Sequence, residues 1–333
     1  MTNSPAALSP IPIQEVYAAR QRIQNYISPS PLLQLHLTDV VTEIYLKLEN
    51  LLPAGSFKLR GVINAMAIAE PYMLEKGVWT VSAGNMGYAL AWFARQHGIP
   101  CTVIVPEDAP HAKLEAIVQQ DAQIEKVPFQ VYQEIQQRHS WHGFLDHPPD
   151  NPLNGLLIHP FSDRAVMAGN ATIGLEILEN LPEVEAILVP YGGGGLSCGI
   201  ASAVKNQQPG VHVLACEIET AAPLAASMAA SHPVQISYTP SFVSGIGAPF
   251  VFPEMWQLAQ QLLDGSLVAT LEQVREAIRL LVQRNHIVAE GAGAVSVAAA
   301  LAGLAGYRRV ACVVSGGNID QQVLINILQE RPA

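Results

Sequence analysis

Short apolar, β-branched runs recur along the chain, each closed by glycine or proline and followed by a stretch with helical spacing. They are Val78-Trp79-Thr80-Val81, Thr102-Val103-Ile104-Val105, Ile187-Leu188-Val189, Val211-His212-Val213-Leu214 and Val310-Ala311-Cys312-Val313-Val314. Repeated strand, turn and helix in this order is what a parallel α/β sheet requires. Thr270 and Gln273 have the spacing of a capping box, and Leu271, Val274, Ile278, Leu281 and Val282 then recur on one face, which predicts a helix there. A second helix is expected from Tyr88 to His97, ended by Gly98 and by Pro100 beyond it. The most apolar stretch, Ala292 to Ala305, is short and rich in alanine and glycine. It predicts a buried helix, because a membrane span needs about 20 apolar residues. His139 to Asn154 gathers His, Pro, Asp and Asn around Trp141 and Phe144 without a period, and reads as a surface loop and a lobe boundary.

Composition adds scale. A chain of 333 residues, half of them apolar and 14% charged, is long enough for two lobes and leaves little polar surface, which favours a compact oligomer. A net charge of −10 without a Lys/Arg run opposes binding to nucleic acid or to an anionic membrane. Cys101, Cys198, Cys216 and Cys312 form no CxxC and read as small buried hydrophobes, which suits a reducing cytoplasm. Met1 to Gln14 carries no basic residue ahead of an apolar run, so no signal peptide is expected.

Three segments carry candidate chemistry. Gly192-Gly193-Gly194-Gly195-Leu196 follows an apolar run and precedes a small-residue helix, so converging backbone N–H groups and a helix N-terminus would cradle a phosphate. A flexible turn is the alternative. Ser82-Ala83-Gly84-Asn85-Met86 is a second strand-to-helix turn, suited to a carboxylate or simply to an ordinary capped helix start. Lys58 lies in Gly55-Ser56-Phe57-Lys58-Leu59-Arg60-Gly61. Partial desolvation beside the cationic Arg60 would lower its pKa toward the free amine that imine formation needs, whereas an arbitrary lysine in such a place is a solvated one. His139, His142 and His147 have no nearby cysteine and read as surface histidines rather than zinc ligands.

The order of these segments is more specific than any one of them. SFKLRG, SAGN, GGGGL, Glu290-Gly291-Ala292-Gly293-Ala294 and Ser315-Gly316-Gly317-Asn318 together resemble the fold-type II pyridoxal phosphate enzymes, in particular their threonine/serine dehydratase branch, from about Ser30 to Leu328. The resemblance implies an α/β fold like the tryptophan synthase β chain, with two three-layer lobes and mostly parallel sheets. Residues 1–76 and 154–333 would form a large cofactor-binding domain and residues 77–153 a small domain that closes on substrate. It implies that Lys58 holds pyridoxal 5'-phosphate as a Schiff base and acts as acid and base at Cα. Phe57 would pack on the ring, Asn85 would bond its hydroxyl, and Gly192 to Leu196 would bind its phosphate. Ser315 would meet the ring nitrogen, with Glu290 and Gly316 also at the cofactor. Ser82, Ala83, Gly84, Asn85, Met86, Tyr88 and Gly245 would surround an amino-acid substrate. The implied activity is α,β-elimination from a β-hydroxy amino acid such as threonine or serine, in a cytoplasmic homodimer. β-Replacement, dehydration of a non-standard β-hydroxy amino acid and a non-catalytic amino-acid sensor are the alternatives.

Some positions depart from the family pattern. Met86 and Tyr88 stand where histidine and glutamine are common, and Ser244 where aspartate is common, which leaves the choice of amino acid open. Ala83 replaces the serine that works on the opposite substrate face in the family's serine racemases, so little racemisation is expected. Some relatives bind a divalent cation. Glu217 and Ala221 match its first ligand and its carbonyl, but Pro223 falls at the other carboxylate position, so no bound metal is expected. The chain ends soon after the last motif, so a regulatory domain answering to isoleucine is not expected.

Overall fold

The structure is a computed structural model describing residues 8–37, 41–109, 111–139, 152–304 and 306–329. Ten strands are present among these: β1 (Leu32–Gln34), β2 (Glu43–Leu48), β3 (Val78–Val81), β4 (Cys101–Pro106), β5 (Gln123–Val127), β6 (Leu156–Leu157), β7 (Ala186–Pro190), β8 (His212–Ile218), β9 (Gly265–Ala269) and β10 (Arg309–Val314). They form a six-stranded sheet in the order β1-β2-β10-β7-β8-β9 and a four-stranded sheet in the order β5-β4-β3-β6. Every pairing is parallel except β1 with β2.

The five runs read as strands are β3, β4, β7, β8 and β10. β8 continues from Leu214 to Ile218 because it pairs on both sides, Val189 with Ala215 and Cys216 with Leu267. β2 was missed because Glu43 and Lys47 interrupt its apolar pattern. Lys47 is nevertheless fully buried, since its amine donates to Glu176 and to the Ser30 carbonyl. β5 and β9 lie at sheet edges and carry mixed polar residues, as exposed edges do. The helix expected at Tyr88 begins three residues earlier, at Asn85, because the Gly84 carbonyl already accepts from Tyr88 N at 3.1 Å. The Thr270 capping box forms with both of its hydrogen bonds. The buried alanine-rich helix runs from Gly291 to Leu301, short of the expected Ala305, which lies outside the described residues. Most of the loop expected from His139 to Asn154, including Trp141, His142, Phe144 and His147, also lies outside them. No helix among the described residues is long and apolar enough to cross a membrane.

Helices Lys58–Ala67, Arg164–Asn180 and Gly195–Gln207 pack close enough to require glycine. A Cβ on Gly169 would lie 2.5 Å from the Arg60 carbonyl oxygen, and one on Gly199 2.7 Å from that of Met167. Arg60 projects from the first helix into a buried ion network. Its guanidinium donates to Glu49 Oε2 at 2.7 Å and Oε1 at 2.8 Å, to Glu176 Oε1 at 2.6 Å and Oε2 at 2.8 Å, and to Thr172 Oγ1 at 3.0 Å. Two carboxylates against two cations balance the charge, and the bidentate geometry offsets its desolvation. All four cysteines are buried and free, and burial pushes the thiols of Cys101 and Cys198 up to about 12, which keeps them unreactive.

Candidate active site

The candidate residues follow the carboxyl ends of strands, where open α/β sheets leave a crevice. Ser315 follows β10, Gly192 lies two residues beyond β7, Ser82 follows β3, and the chain leaving β2 turns through Glu49–Leu51 toward Lys58. Two backbone hydrogen bonds lay the lysine segment against the Ser315 turn: Phe57 N donates to Ser315 O at 3.0 Å, and Gly317 N to Gly55 O at 2.9 Å. Gly55 adopts φ +66°, and a Cβ there would meet Asn318 Oδ1 at 2.3 Å, so glycine is required at this turn.

Lys58 is the first residue of its helix and is half-buried, with its amine 4.9 Å from the centre of the Phe57 ring. The amine donates to the Pro160 carbonyl. Burial lowers its pKa to about 8, against an opposing pull from the Glu290 carboxylate. The nearby cation invoked from sequence is not the cause, because Arg60 points into its own pair of carboxylates.

Asn85, Glu290, Gly316 and Asn318 meet beside this lysine segment. Asn85 Nδ2 donates to Glu290 Oε1 at 2.6 Å, and Asn318 Nδ2 donates to Asn85 Oδ1 at 2.9 Å and to Ala54 O at 3.1 Å. Glu290 sits at the N-cap of the Gly291–Leu301 helix, with its N–H on Gly316 O at 3.0 Å. A side chain on Gly316 would lie 2.5 Å from Glu290 Oε1. Ser315 is buried, and its hydroxyl donates to Ala292 O at 3.4 Å. In the Ser82 turn the Gly84 N–H reaches Ser82 Oγ at 3.3 Å, Ala83 is partly exposed, Gly84 is exposed, and Tyr88 is half-buried. Met86 is 1% exposed and packs into the main core.

The tetraglycine loop touches two further segments. Gly192 approaches Gly245 and Ile246, where a Cβ would lie 3.3 Å from the Gly245 carbonyl oxygen. Gly194 has φ +87° and caps the Gly195–Gln207 helix, whose second residue is Leu196. Cβ atoms on Gly193 and Gly195 would fall 2.2 Å from the Phe161 ring and 2.3 Å from the Phe161 carbonyl oxygen. Phe161, Pro160 and His159 therefore join the lysine to the glycine loop, and sequence reading missed them. The one available signal was a histidine and a proline directly after the apolar Leu156-Leu157-Ile158. His139 is likewise not a solvated surface group: its ring stacks on His159 at 3.9 Å and its Nε2 lies 2.9 Å from Ser162 Oγ.

Away from this cluster, Glu217 is buried with both carboxylate oxygens engaged. They accept from Leu224 N at 2.9 Å, Ala225 N at 2.7 Å and Ser266 Oγ at 2.6 Å, while Pro223 opens the helix that they cap. Ala221 N donates to Ile218 O at 2.8 Å in the intervening turn.

Known proteins match nearly the whole of this arrangement. A family model described as pyridoxal-phosphate dependent enzyme matches residues 23–316. The L-threonine ammonia-lyase of Thermotoga maritima is 33% identical over 96% of this chain and 79% of its own length. The catabolic L-threonine dehydratase of Staphylococcus aureus is 31% identical over 93% of this chain and 90% of its own. Among solved structures, maize serine racemase superposes with a TM-score of 0.84 at 27% identity, covering 96% of this chain and 97% of its own. With its lysine segment, glycine loop and Ser315 turn grouped at the strand ends, this chain belongs to the pyridoxal-phosphate dependent enzymes of fold type II.

Proposed function

We propose that this enzyme is a lyase that removes the Cα proton and β-hydroxyl of a small β-hydroxy amino acid such as threonine or serine as water, after which hydrolysis of the released enamine by water yields a 2-oxo acid and ammonia. The residues present fit the cofactor. A half-buried lysine has its pKa lowered to about 8, so a usable fraction is free amine near neutrality. The start of the Gly195–Gln207 helix, preceded by the left-handed Gly194, offers backbone N–H groups to a phosphate. The lysine segment and the Ser315 turn are hydrogen-bonded together, so a ring joined to Lys58 would meet Ser315. When bound, the cofactor supplies a conjugated electron-withdrawing ring that acidifies the substrate Cα–H.

In this reading Lys58 holds the cofactor and moves the Cα proton. Phe57 backs the ring and Asn85, oriented by Glu290 and Asn318, bonds its hydroxyl. The N–H groups of Gly192, Gly193, Gly194, Gly195 and Leu196 hold the phosphate. Ser315, a neutral hydroxyl, meets the ring nitrogen, with Gly316 beside it. The Ser82–Met86 turn binds the substrate carboxylate at a helix start, and Tyr88 and Gly245 shape the pocket. Residues 77–153, their sheet completed by β6 (Leu156–Leu157) just past that boundary, form a smaller unit that closes over substrate against the rest of residues 1–76 and 154–333. We assign the working form to a homodimer in a reducing cytoplasm. The observation that carries the reading is the place of Lys58, half-buried at the start of its helix on a segment hydrogen-bonded to the Ser315 turn, where burial lowers its pKa.

The test is to screen serine, threonine, 3-hydroxyaspartate and bulkier β-hydroxy amino acids for 2-oxo acid and ammonia, with and without an added thiol. Elimination gives 2-oxo acid in both arms. A new amino acid formed only with the thiol would replace this reading by β-replacement. Because Ala83 places no hydroxyl on the opposite face, chiral chromatography should show D-serine forming far more slowly than pyruvate.

A further inference from the structure

We propose that His159 is a positioning residue for Lys58, holding as its Nε2–H tautomer the His159–Ser162 turn whose Pro160 carbonyl takes the lysine amine and whose Phe161 seats the glycine loop. The inference rests on the role proposed for Lys58.

The tautomer follows from the contacts. His159 Nδ1 faces the Ser162 hydroxyl at 2.9 Å and two backbone donors, Ser162 N at 3.0 Å and Phe161 N at 3.5 Å; the N–H groups can only donate, so Nδ1 accepts. Its Nε2 lies 3.0 Å from the carbonyl of Gln136, in helix Phe129–Arg138, so it must donate. One ring thus caps its own turn from one side and ties it to a neighbouring helix from the other. Stacking on His139 at 3.9 Å and an edge contact with Phe161 at 4.6 Å fix its plane. The turn then has two outputs. Pro160 O accepts the Lys58 amine, and the Phe161 ring and carbonyl occupy the space that side chains on Gly193 and Gly195 would need.

A proton on Nδ1 would remove the acceptor and oppose both N–H groups. The surroundings disfavour it. Burial above all, with His139 and Lys58 facing the ring, holds its pKa well below the ordinary histidine range, against the opposing hydrogen bond to the Gln136 carbonyl. On the acidic side Asp163 is occupied by Ala165 N and Val166 N as the cap of its helix. Glu254 lies 3.7 Å from His139 Nε2 rather than against His159. The ring therefore stays neutral through the working pH range and acts by shape and hydrogen bonding rather than by titrating.

Two substitutions separate positioning from filling. In His159→Asn the amide oxygen takes the place of Nδ1, whereas in His159→Leu similar bulk carries no acceptor. The holoenzyme of His159→Leu should lose about 10-fold in kcat with KM changed less than about 2-fold, and should release cofactor on dialysis about 10-fold more readily. His159→Asn should recover both to within about 3-fold of wild type. Equal behaviour of the two variants, or a wild-type kcat and cofactor affinity in His159→Leu, would overturn the proposal. If His159→Leu does not fold, the ¹⁵N spectrum of histidine-labelled wild-type holoenzyme decides, the His159 signals being those missing from His159→Asn. Nε2–H without titration between about pH 6 and pH 9 is expected, and an Nδ1 proton or a titration in that range contradicts the assignment. Failure of the Lys58 reading looks different, since the wild type itself would then carry no cofactor absorbance.

Discussion

Substituting Gly195 by alanine probes the joint between the glycine loop and the lysine. The added methyl would lie 2.3 Å from the Phe161 carbonyl oxygen and 2.8 Å from its Cα, where ordinary contacts begin at 3.4 Å. The obstruction is backbone, so no side chain can swing aside. The two segments must part by about 1 Å, and because Phe161 follows Pro160 the shift reaches the carbonyl that accepts Lys58. Alanine gains up to ~1 kcal/mol over glycine in helix propensity, but overpacking of this kind costs ~1–3 kcal/mol, so the net effect is destabilising. A displacement of about 1 Å in the reacting arrangement is worth ~10²-fold in rate. The assay pairs thermal unfolding with cofactor titration followed by visible absorbance, then kcat. Gly195→Ala should unfold a few degrees lower, bind cofactor more weakly and lose ~10²-fold in kcat. Gly210→Ala, whose methyl would meet nothing within 4 Å, should match wild type. A Gly195→Ala enzyme with wild-type cofactor affinity and turnover would refute the close contact with Phe161.

Three further outcomes are expected. Because burial lowers the Lys58 pKa to about 8, the folded cofactor-free protein binds that proton less tightly than the unfolded chain does. Its stability should therefore rise with pH from about 8 toward the ordinary lysine value, Lys58→Met should flatten that rise in denaturant titrations, and the rate of cofactor uptake should level off above about pH 8. Removing the guanidinium in Arg60→Ala leaves Glu49 and Glu176 buried with Lys47 as their remaining cation, which should cost ~3–5 kcal/mol in urea unfolding, and Arg60→Lys should not restore it. Because the Glu217 carboxylate already accepts three hydrogen bonds, chelator or added magnesium should change turnover by less than about 2-fold, as assayed by 2-oxo acid release.

The sheet cores were legible because β3, β4, β7, β8 and β10 are short uninterrupted apolar runs, and such runs mark parallel strands covered on both faces. β2 was not, because its Lys47 looks like a surface residue until Glu176, a partner 129 residues away, is brought beside it. The glycine loop was legible as a loop, but one reason for its glycines was not. Gly193 and Gly195 admit Phe161, a contact between segments more than 30 residues apart that no local pattern encodes. Arg60 illustrates the converse. Its sequence neighbour Lys58 suggested an electrostatic role, whereas the helix turns the two side chains apart and gives Arg60 to Glu49 and Glu176. His139 and His159 were hidden for the same reason, since stacking at 3.9 Å joins residues that flank a loop without period.

The central claim is that Lys58 carries the cofactor. Reducing the purified holoenzyme with borohydride, digesting it and locating the modified lysine by mass spectrometry tests this without depending on any substrate. The account predicts one cofactor adduct per chain, on the peptide containing Lys58. An adduct on Lys47, Lys76, Lys113, Lys126 or Lys205 with Lys58 unmodified, or no adduct on a protein that still turns over substrate, would contradict it.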